Sequence, residues 1–184
     1  MATLVLTIIG DDRSGLVDAL SGVVVDNGGN WHKSHLAELA GKFAGIVLVT
    51  VPDTKADQLI AALAPLETNG LLDVSVEVAA VVAATPSSAG PQAGSRYHLE
   101  LVGQDRPGIV HEISEALAGR RVNITELNTA TSSAPMAGGT LFTAVATLQV
   151  PGDAPIDELR HDLEAIADEL MVDLDLDLES DTDS

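Results

Sequence analysis

The chain has 184 residues, 46% of them hydrophobic, yet only four aromatics (Trp31, Phe43, Tyr97 and Phe142), so its cores must come from Val, Leu, Ile and Ala. Lys and Arg number 9 against 28 Asp and Glu, a formal net charge of -19, which repels phosphate backbones and argues against direct DNA or RNA binding. Cysteine is absent, which excludes disulfides, thiolate catalysis and zinc ribbons.

From the N-terminus, Leu4 to Ile9 reads as a short strand that meets Gly10-Asp11-Asp12 too early, and with too little positive charge before it, to be a signal peptide. No stretch reaches the roughly 18 apolar residues of a membrane span. The expectation is a soluble cytoplasmic protein with no membrane partner. After Gly15, Leu16, Val17, Leu20, Val23 and Val24 mark one helical face, which Asn27-Gly28-Gly29 ends. A strand starting at Trp31 is expected to pair with Ile46 to Val51, closed by Pro52. A second helix carries Leu59, Ile60, Leu63 and Leu66. A fourth strand then alternates Val74, Val76 and Val78 with Asp73, Ser75 and Glu77, the pattern of a half-buried strand.

Residues 83–95 have a linker composition, rich in Ala, Pro, Ser and Gly. Beyond them the pattern repeats. Gly10-Asp11-Asp12-Arg13-Ser14-Gly15-Leu16-Val17 aligns with Gly103-Gln104-Asp105-Arg106-Pro107-Gly108-Ile109-Val110, five identities in eight positions at an offset of 93, and Asn30 meets Asn123. Phe43 meets Phe142 and Pro52 meets Pro151 at an offset of 99, so the second copy carries six more residues, placed in Ser132–Gly139 as a longer hairpin loop. Tyr97 to Val102, the Ile109/Val110/Ile113/Leu117 face, Leu141 to Val150, the Ile156/Leu159/Leu163/Ile166 face and the Leu174/Leu176/Leu178 alternation complete the copy. Each copy is βαββαβ, predicting an α+β fold of two domains, each a four-stranded antiparallel sheet with both helices on one face. The boundaries are 1–82 and 96–179, with an acidic tail at 180–184.

Most candidate chemistry fails its own geometry. Asp173-x-Asp175-x-Asp177 suggests a calcium loop, but Leu178 and Ser184 stand where that loop needs Gly and Glu. His32-x-x-His35 on a strand should place the two rings on opposite faces, so they cannot share an ion. No phosphate loop, dinucleotide fingerprint or nucleophile elbow occurs, and Asp11-Asp12 has no nucleophile beside it. The reading is therefore no catalytic residue, no metal and no cofactor. RNA-recognition domains share the element order, but they need ring-bearing strands and basic charge.

The two glycine turns remain. Amides at a helix start are unpaired and suit a carboxylate, glycine lets a ligand approach the backbone, and an Asp carboxylate can receive an ammonium group. Asp12, Arg13, Gly15 and Asn30, with Asp105, Arg106, Gly108 and Asn123, are thus candidates for holding a free α-amino acid. The alternative is purely structural: Asp caps the helix, Pro107 starts it and Gly serves the turn.

The Gly-x-Asp-Arg-x-Gly turn, its helix and the following Asn (Asn30; Asn123-Ile124) resemble the ACT domain over nearly the whole chain outside linker and tail. Copy one departs with Ser14 for Pro and with Trp31 for Ile, a bulky residue beside the expected pocket. The duplication without a catalytic domain is similar to the glycine cleavage system transcriptional repressor family. That resemblance implies ferredoxin-like domains that pair side by side and bind amino acids where a helix-1 turn meets a neighbouring domain. It also implies a homodimer that is not an enzyme and acts through a protein partner such as a transcriptional activator. Glycine or serine is the expected ligand. The alternatives are a dimerisation module without a ligand, or the regulatory subunit of an amino-acid biosynthetic enzyme.

Overall fold

The computed structural model describes residues 1–79, 94–133 and 139–179. The first unit runs β1 (Ala2–Asp11), α1 (Leu16–Asp26), β2 (Asn30–Leu39), β3 (Lys42–Val51), α2 (Ala56–Thr68) and β4 (Asp73–Val78). The second runs β5 (Ser95–Gln104), α3 (Ile109–Gly119), β6 (Asn123–Ser133), β7 (Thr140–Val150), α4 (Ile156–Leu170) and β8 (Val172–Leu178). Each forms a four-stranded antiparallel sheet, in the orders β2-β3-β1-β4 and β6-β7-β5-β8. The βαββαβ order and the α+β class are as the sequence implies.

Alternation along β1 decides which face is covered. Leu4, Leu6 and Ile8 are buried opposite Val49, Val47 and Gly45, while Val5 and Thr7 look the other way. Leu16, Leu20 and Val24 of α1 and Leu59, Leu63 and Leu66 of α2 close over that face to make one core. In the second unit Leu99, Leu101, Leu148 and Leu176 meet Ile109, Ile113 and Leu117 of α3 and Leu159, Leu163, Ala167 and Leu170 of α4. Each fully buried Leu contributes about 1.5–3 kcal/mol through area removed from water, while Trp31 and Phe43 in the first unit and Tyr97 and Phe142 in the second pack against the aliphatic core from its margin.

The helical stripes are narrower than the sequence suggests. Val17, Val110 and Ile60 stay partly exposed, because burial follows the i, i+4 rows and these residues stand beside them. Val78 and Leu178 are exposed as well, since each lies at the end of its strand. Asp173, Asp175 and Asp177 pair with Val102, Glu100 and His98 on the helix-free face, so alternation accounts for them.

The hairpins differ as the extra residues require: Ala40-Gly41 joins β2 to β3, whereas residues 134–139 join β6 to β7. Residues 83–93 of the expected linker, the centre of the expected insertion and the acidic tail lie outside the described residues. At the linker's far end Ser95 already belongs to β5, opposite Val150, and Gly94 accepts a 2.6 Å hydrogen bond from Gln149 Nε2.

Candidate functional site

Both glycine turns are built alike. Gly15 (φ 91) and Gly108 (φ 102) are the N-caps of α1 and α3 in the left-handed region, which L-residues enter only with strain. A glycine N-cap has no side chain to offer, so neither Asp12 nor Asp105 caps its helix. The first helical bonds are Ala19 N–H to Gly15 O (2.9 Å) and Glu112 N–H to Gly108 O (3.0 Å). The amides of residues 16–18 and 109–111 precede them without a helical partner. Each turn is latched to its own hairpin, by Asp12 N–H to Gly41 O (2.9 Å) and Asp105 N–H to Thr140 O (2.8 Å).

The two turns differ in their surroundings. The Arg13 guanidinium donates to the Gly70 carbonyl past the end of α2, so it serves the fold of the first unit. Arg106 instead lies 3.8 Å from Glu112 Oε2, and its Nε is buried with no partner among the described residues. A side chain on Gly15 would meet nothing within 4 Å, whereas one on Gly108 would stand 3.3 Å from Glu112 Oε1. Ala19 takes the place of Glu112 in the first unit. Glu112 is thus a neighbour of the second turn that the sequence reading missed; an acid in the first helical turn, on the side facing Arg106, was the available signal.

Asn30 and Asn123 are not brought to the turns of their own units. Asn30 is level with Thr50 and Thr3, at the start of β1, while the turn follows Asp11 at its end. Eight residues of strand separate these levels, about 26 Å at 3.3 Å per residue. Asn123 opposes Gln149, which in turn opposes Arg96, at the same far end of the second sheet. One unit alone therefore assembles Asp, Arg and Gly around a turn, with the asparagine at the other end.

A bulge between Trp31 and Lys33 changes the histidine argument. His32 contacts Thr50 Oγ1 at 2.9 Å, and His35 opposes Ile46, so both rings lie on the helix-free face rather than on opposite faces. Among the described residues no group of three or more His, Asp or Glu is arranged to hold a metal. The resolved electrostatic perturbation nearest a turn is at Asp11, whose carboxyl is held below its ordinary range by a hydrogen bond from Lys42 and by that ammonium's charge.

ACT-domain profiles match residues 2–77 and 97–169. Among solved structures, a protein of unknown role from Galdieria sulphuraria is 30% identical at a TM-score of 0.83, over 97% of this chain and 99% of that one. A second, provisionally named a glycine cleavage system transcriptional repressor, is 17% identical at a TM-score of 0.68, over 98% of each chain; at that identity the likeness is one of fold. No curated protein sequence matches. Among the described residues no helix is long and apolar enough to cross a membrane.

Proposed function

The chain belongs to the ACT-domain family of regulatory modules, and from that premise we propose that it is a non-enzymatic sensor of a free amino acid. The observation that supports this reading is the pair of left-handed glycine N-caps, which leave uncapped amides at two helix starts beside Asp12 and Asp105. Such amides attract a carboxylate, and the aspartates offer a partner for an ammonium group.

The placement of Asn123 gives the reading its form. Edge strand β6 is exposed nearly throughout, and an unpaired edge invites pairing. Antiparallel addition of β6 to the β6 of a second copy would run the strands in opposite senses. Asn123 at the start of one would then come level with the turn end of the other. The ligand would lie between like units of two copies, and it would favour the dimer that holds it. The output would be altered affinity for a protein partner, with transcription as the regulated process by likeness to the provisional repressor.

Thermal unfolding against each of the twenty amino acids tests this. A ligand at about 100 times its dissociation constant adds about 2.7 kcal/mol, a shift of several degrees for domains of this size. An amino acid that raises the midpoint and increases the dimer fraction supports the sensor. No response to any would leave the ligand-free interaction module.

A further inference from the structure

The second unit holds an apolar pocket beside its glycine turn. In the second unit a cavity of about 30 Å³ opens between α3 and the β6 edge, with Val110 and Leu127 at its mouth and Ile113, Ile124, Phe142 and Ala144 within. Its exposed wall is wholly apolar. Val110 is the second residue after Gly108, so the pocket begins directly beside the glycine turn.

The first unit has nearly the same lining. Val17, Ser21 and Phe43 repeat Val110, Ser114 and Phe142, and Leu20 replaces Ile113. Gly45 and Val47 stand for Ala144 and Ala146 on β3, and two positions of the edge strand differ more. Trp31 stands for Ile124, opposing Val49 as Ile124 opposes Leu148, and Ser34 stands for Leu127, opposing Val47 as Leu127 opposes Ala146. Trp31 is half-buried and packs against the first core. The first unit thus has an indole packed against its core where the second has the shorter Ile124 at the cavity.

We propose that the second unit selects an amino acid with a short aliphatic side chain, valine, leucine or isoleucine, and that the branched end of that side chain occupies this pocket. The inference rests on the sensor reading and replaces its expected glycine or serine for this unit. Glycine would leave the wall wet, and serine would set a hydroxyl against a wall whose exposed surface is apolar, with Ser114 the one polar side chain in its lining. A single water-sized group needs about 10–15 Å³, so the cavity takes roughly two such groups, enough for a methyl-bearing branch and too small for a ring. The first unit does not take this ligand, because Trp31 is already there.

The test is the midpoint of thermal unfolding of the full chain with valine, leucine, isoleucine, glycine, serine and phenylalanine at equal concentration. It is repeated on the double variant Ile124→Trp/Leu127→Ser, which gives the second pocket the first unit's two edge-strand residues. The expected result is a shift from an aliphatic amino acid that exceeds those from glycine, serine and phenylalanine, with at least a tenfold loss of affinity in the variant. In the unaltered chain the same ligand should move the methyl NMR signals of Ile124 and Leu127, a readout that stands even where the variant fails to fold. A dominant response to glycine or serine, or aliphatic binding that leaves those methyls and the variant's affinity unchanged, overturns the pocket assignment and leaves the sensor. No response to any amino acid, including the other fourteen, overturns both. If those methyls shift on dilution with no ligand added, the occupant is the second copy, and the assignment also falls.

Discussion

Trp31 and Ile124 occupy one position in two sheets: each is the last residue before a bulge in an edge strand, and each faces the helical layer. The indole contributes more buried area than the isoleucine could, so truncation should be felt in the first unit alone. Trp31→Ala is expected to cost the first unit about 3 kcal/mol, the low end for large aromatic truncations because the ring is half-exposed. Urea unfolding followed by circular dichroism and by methyl NMR signals of each unit checks this. A loss under about 1 kcal/mol, or an equal loss in both units, would show that the ring does not anchor its core.

Arg120 fastens the end of α3 to α4 in the second unit. Its Nε donates to Asp162 at 2.8 Å and its Nη1 to Glu158 at 2.6 Å, and these hydrogen bonds, Glu158 foremost, raise the already high pKa of the guanidinium. The first unit has Asn27 at this place, turned inward to donate to Val23 O at 2.8 Å. Arg120→Met should therefore lower the melting midpoint of the second unit only, and by less in molar salt, which screens exposed ion pairs. Arg120→Lys should recover only part of the loss, because an ammonium cannot reach both carboxylates with a planar fork.

Much of this fold is legible in the sequence. The repeat gave two units, strict alternation in β4 and β8 gave their buried faces, and the offset change from 93 to 99 located the longer hairpin. Two things needed three dimensions. Period-two reasoning separated His32 from His35, and the bulge after Trp31 returned them to one face. The chemistry of an amide and the ACT resemblance group the asparagines with the turns. An 11-residue helix intervenes, however, and its rise of about 1.5 Å per residue carries the chain to the other end of the sheet. The exchange of Trp31 for Ile124 marks the position in the sequence, but the apolar cavity beside Ile124 is visible only once α3 and β6 are placed side by side.

Substituting the turn glycines would confuse folding with binding. Gly15→Ala and Gly108→Ala force an L-residue into the left-handed region, a strain of about 1–2 kcal/mol with or without a ligand. Asp105→Asn and Asn123→Ala avoid this, since both side chains are exposed. Each should leave ligand-free stability within about 0.5 kcal/mol and abolish the ligand-induced shift in midpoint. If the shift survives both changes, the second turn is only a turn.

Asp11 and Lys42 close the last rung between β1 and β3, and their ion pair holds the Asp11 carboxyl below its ordinary pKa. A carboxyl with a lowered pKa in the folded state stabilises that state above its unfolded value, near 3.9, and the contribution is lost as pH falls through the lowered folded value. Lys42→Met should therefore destabilise the first unit at neutral pH, modestly because both groups are exposed. The gap from the parent chain should narrow below about pH 4. Gln104 and Leu141 hold the corresponding rung of the second unit, so the effect belongs to one unit. Trp31, the chain's single tryptophan, reports that unit by fluorescence during urea unfolding. A gap between variant and parent that is the same at every pH would mean that Lys42 acts through the packing of its stem and not through the charge on Asp11.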